Sequence, residues 1–333
     1  MALSVVNTIA AVEKKVDMKK TVIISLVLLI ALLCVLVGCD TEGEITCYVP
    51  DGAPALAVAK IIADGKVGDS NVTTYVTTGE DVVAKCASGE ADMAILPSNA
   101  AVKICSDRND YRLFSVNVFG LLYVVGTRQV ASLAELCENT VYSIGLGNTP
   151  EYVMKKILDV NGVSYADTFE YITDGTTAVQ MILGSQAEFA LLGEPAVTNL
   201  IQKAAEKGKT VYRLFDLQQL WQQATDSSEA GYPQAALIVK NSLLTDDFAH
   251  NLQQILQQNT QFLLANLAGL NDLLKGAGSS LDVSYTAEII ARCNVRFTAA
   301  CEIKNDLETY LATFQAMQKF LPLSDDIFYE QNA

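Results

Sequence analysis

Histidine is almost missing: His250 is the only one in 333 residues. A chain so poor in imidazole offers no Ser–His or Cys–His nucleophile pair. Its eight cysteines contain no C-x-x-C pair, so no zinc ligand set is spelled out either. Positive charge is scarce as well. Lys and Arg number 23 against 38 Asp and Glu, a net charge of −15, and no basic stripe exists that could follow a phosphate backbone. Nucleic acid is therefore not an expected partner.

Complete nucleotide fingerprints are lacking too. Gly145-Leu146-Gly147-Asn148-Thr149-Pro150 starts like a dinucleotide loop, but Pro150 occupies the third glycine position. Gly208-Lys209-Thr210 is no Walker A loop, because Lys203 stands where its first glycine belongs. The first turn keeps one useful property. Glycines and a helix N-terminus at Gly147, Asn148 and Thr149 would present N–H groups to a ligand. No cofactor and no metal are expected.

Against these absences stands a distinct N-terminus. Met18-Lys19-Lys20 is basic, Thr21–Gly38 is uncharged and largely apolar, and Leu36-Val37-Gly38-Cys39 places small residues before a cysteine. The pattern resembles a bacterial lipoprotein signal, which implies a signal peptide over 1–38, cleavage before Cys39, lipidation of Cys39 and a body anchored outside the cytoplasm. Met18 is an alternative start. A plain transmembrane anchor is the competing reading. Removing residues 1–38 takes away four lysines and two acids and leaves a net charge of −17. In the body, Cys47, Cys86, Cys105 and Cys137 lie in apolar contexts and read as core residues. Cys293 and Cys301, eight apart around a strand-like stretch, could bridge in an oxidising compartment.

The body contains a repeat. Shifting the chain by 96 residues aligns Thr77–Ala100 with Thr173–Ala196 without a gap, and Glu44–Ala100 shows 12 identities in 57 positions. Pro54, Lys60, Tyr75, Gly79, Ala94 and Leu96, for example, recur as Pro150, Lys156, Tyr171, Gly175, Ala190 and Leu192. A period of this length is the size of a small domain. Each copy alternates short apolar strands with helices, the pattern of a parallel, doubly wound sheet. One helix is expected from Pro54 to about Ala63. Leu113–Val125 and Ala235–Val239 read as extended segments crossing between the copies. From Asp246 the apolar residues recur every three or four positions, predicting a long packing helix. Two further helices are expected, about Tyr285–Arg292 and Glu302–Phe320.

Ligands of open α/β sheets bind outside the carboxyl ends of the strands. That rule selects the strand-to-helix turns: Asp51, Gly52 and Ala53; Thr78 and Gly79; Ser98 and Asn99; Gly147, Asn148 and Thr149; Asp174 and Thr176; Glu194. Asn117, at the first crossing, joins them. Glu194 is placed to accept hydrogen bonds from a ligand's amino group. The acids also suit helix N-termini on dipole grounds alone.

A lipidated start, duplicated lobes and two crossings resemble the substrate-binding proteins of bacterial ABC importers. The phrases VPDGAPALAVAKI, SGEADMAILPSN, YRLFSVNVFGLLYVVG, IGLGNTPEYV and LLGEPAV look like the nitrate/sulfonate/taurine type, which includes thiamine-pyrimidine binders. The resemblance implies a two-lobe periplasmic-binding-protein-like fold (type II) with two hinge crossings. Lobe one would be 40–120 plus 233–333, and lobe two 121–232. It implies a monomer without enzymatic activity that closes on a small ligand and docks to a permease with its ATPase. The turns offer acids and amides but little Lys or Arg, so a neutral, zwitterionic or amino-bearing ligand fits better than an inorganic anion. A sensing lipoprotein and an enzyme on the same scaffold are the alternatives.

Overall fold

The repeated segments form corresponding strands and helices, several of them starting 96 residues apart. In the computed structural model, which describes residues 44–172, 175–227 and 231–330, the first copy runs as follows. β1 (Ile45–Pro50) leads into α1 (Ala53–Leu56) and α2 (Ala59–Asp64), then the short β2 (Lys66–Val67) and β3 (Ser70–Thr77). α3 (Gly79–Ser88), β4 (Met93–Pro97), α4 (Ser98–Asp107) and β5 (Tyr111–Val118) complete it. β6 (Leu122–Gly126) and α5 (Leu133–Cys137) precede the second copy. That copy comprises β7 (Val141–Ser143), α6 (Thr149–Val160), β8 (Phe169–Tyr171), α7 (Gly175–Leu183), β9 (Phe189–Gly193) and α8 (Ala196–Glu206). β1, α1, α3 and β4 each begin 96 residues before β7, α6, α7 and β9. β10 (Tyr212–Asp216), α9 (Leu217–Thr225) and β11 (Ala235–Lys240) follow. The C-terminal part adds α10 (Asp246–Ala265), α11 (Leu270–Gly276), α12 (Ala287–Arg292), β12 (Val295–Ala299) and α13 (Lys304–Leu311).

Two sheets result, in the orders β12-β5-β11-β4-β1-β3-β2 and β10-β6-β9-β7-β8. The strands β4-β1-β3 and β9-β7-β8 are parallel, as expected for strands linked by helical crossovers. Neither sheet is parallel throughout, however. β11 lies antiparallel between β4 and β5, and β6 lies antiparallel between β9 and β10. The crossings explain this. β5 runs toward the carboxyl edge of its sheet, the chain enters the other sheet at the matching edge, and β6 can only run away from it. The return from β10 to β11 repeats the geometry. Helices cover both faces, so β4 is buried along Met93–Leu96 and β9 along Phe189–Leu192.

Side chains reshape two expected helices. The stretch from Pro54 is cut between Leu56 and Ala59 because Asn259 of α10 enters the backbone ladder. Its Oδ1 accepts from Lys60 N at 2.9 Å and its Nδ2 donates to Leu56 O at 2.9 Å, the two groups that an unbroken helix would join. The expected Glu302–Phe320 helix is broken into the end of a 3₁₀ turn over Ala300–Ile303, α13, and a 3₁₀ stretch from Gln315. Phe314 turns extended between the last two and buries its ring 4.5 Å from that of Tyr152. Cys293 and Cys301 are free thiols. The extended five-residue β12 lies between them and spans roughly 16 Å, well beyond the ~7 Å Cα limit of a disulfide.

Candidate functional site

The carboxyl edges of the two sheets meet. A Cβ added to Gly52, in the turn after β1, would lie 3.9 Å from Pro195 Cδ, in the turn after β9. The two crossings, Phe119–Leu121 and Gly231–Gln234, pack on each other beside this contact. Gly231 (φ +113°) brings its α-carbon so near Phe119 that a Cβ would stand 2.2 Å from the Phe119 carbonyl oxygen. Gly120 (φ +77°) does the same against the Tyr232 ring, at 2.9 Å. Only glycine fits either place. Buried Gln218 of α9 fastens the first crossing: Leu122 N donates to its Oε1 at 2.8 Å and its Nε2 donates to Leu122 O at 3.1 Å.

Most of the expected ligand groups turn out to serve the chain itself. Asp51 accepts from Ser279 Oγ at 2.6 Å and from Ser280 N at 2.8 Å, tying down the loop after α11. Gly52 and Ala53 are buried at the start of α1. Thr78 caps α3 through Asp81 N at 3.2 Å, and Gly79 is exposed beside it. Asn117 is not at a turn but buried inside β5, where its Oδ1 accepts from Ser115 Oγ at 2.7 Å.

The Gly147 turn is closed by Glu151, whose Oε2 accepts Gly147 N at 2.5 Å. Burial pushes the Glu151 carboxyl up, but Lys155 and the Gly147 N–H outweigh it and hold it below the ordinary carboxylate range. Asn148 is exposed, while Thr149 is buried with its Oγ1 2.6 Å from the hydroxyl of Tyr310. Thr176 is exposed in the first turn of α7. Asp174 lies outside the described residues, as do Cys39 and the expected leader.

Glu194 departs furthest from expectation. Its side chain has no exposure, and its carboxylate already accepts from four donor atoms: Arg213 Nη2 at 2.8 Å and Nε at 3.3 Å, Thr198 N at 3.0 Å and Thr198 Oγ1 at 3.0 Å. Nothing in the sequence announces Arg213, because β10 is brought to β9 only through β6. Tyr123 lies in the same corner, and burial, helped by the charges of Asp216 and Glu194, pushes its phenol up to about 12.

Ser98 and Asn99 are the exceptions. Ser98 is fully buried, and its Oγ has no hydrogen-bond partner in the chain. Asn99 Oδ1 and Gln234 Oε1 are in the same condition. Ser98 N donates to Gln234 O at 3.0 Å, so the three residues are neighbours. Gln234 was not legible as a site residue; it reaches Ser98 only because β11 inserts beside β4. Two cavities flank the facing turns. One of about 400 Å³ lies behind the crossings, lined by Phe119, Trp221, Tyr232 and Arg296 among others. The other, about 420 Å³, separates α8 from the stretch after α10, with Lys203 opposite Asp272 and Asp282. Neither is lined by any expected ligand residue. Among the described residues no group of acids, cysteines and histidine could hold a metal, and no helix is long and apolar enough to cross a membrane.

This architecture is that of the periplasmic-binding-protein fold. A Candida albicans protein described as having the generic form of that fold superposes with a TM-score of 0.50 at 15% identity, over 85% of this chain and 92% of that one. An ABC transporter protein from Parabacteroides distasonis is similar over 87% of this chain and 99% of its own, with a TM-score of 0.73 and 21% identity. The periplasmic aliphatic sulphonate binding protein of Escherichia coli matches with a TM-score of 0.61 and 12% identity, over 87% of this chain and 92% of that one. No protein-family model matches the sequence, and no curated protein does.

Proposed function

We propose that this chain is an extracytoplasmic solute-binding lipoprotein that captures a small polar organic molecule and presents it to an ABC importer. The observation that carries the reading is the meeting of the two strand-end sets, Gly52 against Pro195, beside paired glycine crossings. Opposed carboxyl edges are where open α/β sheets bind ligands. Both crossings between the sheets carry glycine, the kind of position at which a hinge absorbs closure of such edges. The similarity to an ABC transporter protein and to a sulphonate-binding protein supports the same class. Lobe one is taken as 40–120 plus 233–333 and lobe two as 121–232, with Cys39 as the lipidated mature N-terminus on the outer face of the membrane. The protein binds without turnover, works as a monomer, and engages the permease and its ATPase through the closed form.

A thermal-shift screen against a metabolite library tests this. A true ligand at 100 times its Kd stabilises the folded chain by about 2.7 kcal/mol, and small-angle scattering should then report a more compact particle. A library without a single stabilising solute, or turnover of the one found, overturns the proposal. Mass spectrometry of membrane-extracted protein should find an acylated Cys39; an intact Met1 or Met18 start refutes the anchor.

A further inference from the structure

Several long helices here have first-turn N–H groups that the chain satisfies for itself. Thr78 takes Asp81 N at α3, Glu194 takes Thr198 N at α8, and Thr245 takes Phe248 N at α10. At α9, Asp216 accepts both Gln218 N and Gln219 N. The ten-residue α4 is different. Pro97 stands at its N-cap with no side-chain hydrogen bond, and no acid occupies its first turn. Nor is this end simply left to solvent, since Ser98 has no exposure at all. Among the described residues four buried side-chain polar atoms lack a partner, and three of them are here: Ser98 Oγ, Asn99 Oδ1 and Gln234 Oε1. Each such atom weakens a fold. Three on adjoining residues point to a ligand that completes them.

The chemistry of the set selects the ligand group. Two amide oxygens can only accept, a hydroxyl can do either, and the first-turn N–H groups of α4 after that of Ser98, which is taken by Gln234 O, donate. A carboxylate or sulfonate would be set against two acceptor oxygens. An ammonium would face the positive end of the helix dipole. A neutral group carrying an acceptor and an N–H donor side by side meets neither penalty. Resting on the solute-binding reading above, we propose that the N-terminus of α4, with Ser98, Asn99 and Gln234, recognises a primary carboxamide or an equally neutral amide-like group of the ligand.

Calorimetry on the full chain with two matched pairs, L-glutamine against L-glutamate and nicotinamide against nicotinate, tests this. The carboxamide member of at least one pair should bind and its carboxylate isostere should not. Ser98→Ala and Gln234→Leu should each weaken that binding about tenfold, the worth of one hydrogen bond. Both substitutions should leave the melting temperature of the free protein unchanged or higher, because they remove buried atoms with no partner. Carboxylates binding as well as carboxamides would overturn the inference and show that the side-chain amides present nitrogen instead. A lowered melting temperature in both free variants would also overturn it, by making these groups structural. Binding that ignores both substitutions sinks this inference but leaves solute capture standing. If neither pair binds, the carboxamide assignment is overturned, and the wider library then judges capture separately.

Discussion

Glu194→Gln separates a ligand contact from a structural one. The carboxylate is fully buried against Arg213 at 2.8 Å and accepts two hydrogen bonds from Thr198. Glutamine keeps one acceptor oxygen but turns an N–H₂ toward either the guanidinium or the Thr198 N–H. Breaking a buried ion pair by removing one partner costs about 3–5 kcal/mol. Arg213 is 25% exposed, so water recovers part of that. The expected loss is about 2–3 kcal/mol, which lowers the melting temperature of a chain this size by roughly 5 °C or more. Urea unfolding of Glu194→Gln, Arg213→Met and the double variant should give a non-additive cycle, the double variant losing less than the sum. An unchanged melting temperature with weakened ligand binding would refute this reasoning and return Glu194 to the ligand.

Gly231→Ala should destabilise the protein by several kcal/mol in urea, since its Cβ would lie 2.2 Å from a backbone oxygen at a φ of +113°; a wild-type midpoint would show that the crossing moves freely. Asp92 governs part of the acid limb of stability. Burial pushes its carboxyl up, but the Thr46 N–H at 2.9 Å, Lys240 at 2.9 Å and the Thr46 hydroxyl together hold it below its ordinary value. A depressed folded pKa gives stability that is complete above the unfolded value, about 3.9, and is lost as pH falls through the folded one. Asp92→Asn should therefore flatten the stability curve below about pH 4, and an unaltered acid limb would contradict it. Burial also pushes the Cys47 and Cys86 thiols up to about 12. At pH 8 both should resist alkylation until the chain unfolds, and labelling of either in the native protein would show an opening of the first sheet's core.

The periodic content of the chain could be read from one dimension. The 96-residue shift aligned β1 with β7 and β4 with β9 because duplicated elements keep their apolar spacing and their turns. The long apolar face of α10, from Phe248 to Leu263, was legible for the same reason. So were the turns at the carboxyl edges, since strand ends follow from composition. What the tertiary structure alone decided is which of those turns have groups to spare. Glu194 looked available until β10 delivered Arg213, and Gly147 until its own helix returned Glu151. Ser98 and Asn99 kept unsatisfied atoms, and Gln234 joined them when β11 slid in beside β4. Asn259 likewise split a helix that local propensity would have continued. Strand and helix periods are set by neighbours a few residues away and survive in any sequence window. Hydrogen-bond satisfaction depends on partners brought from distant parts of the chain, so only the assembled sheets determine it.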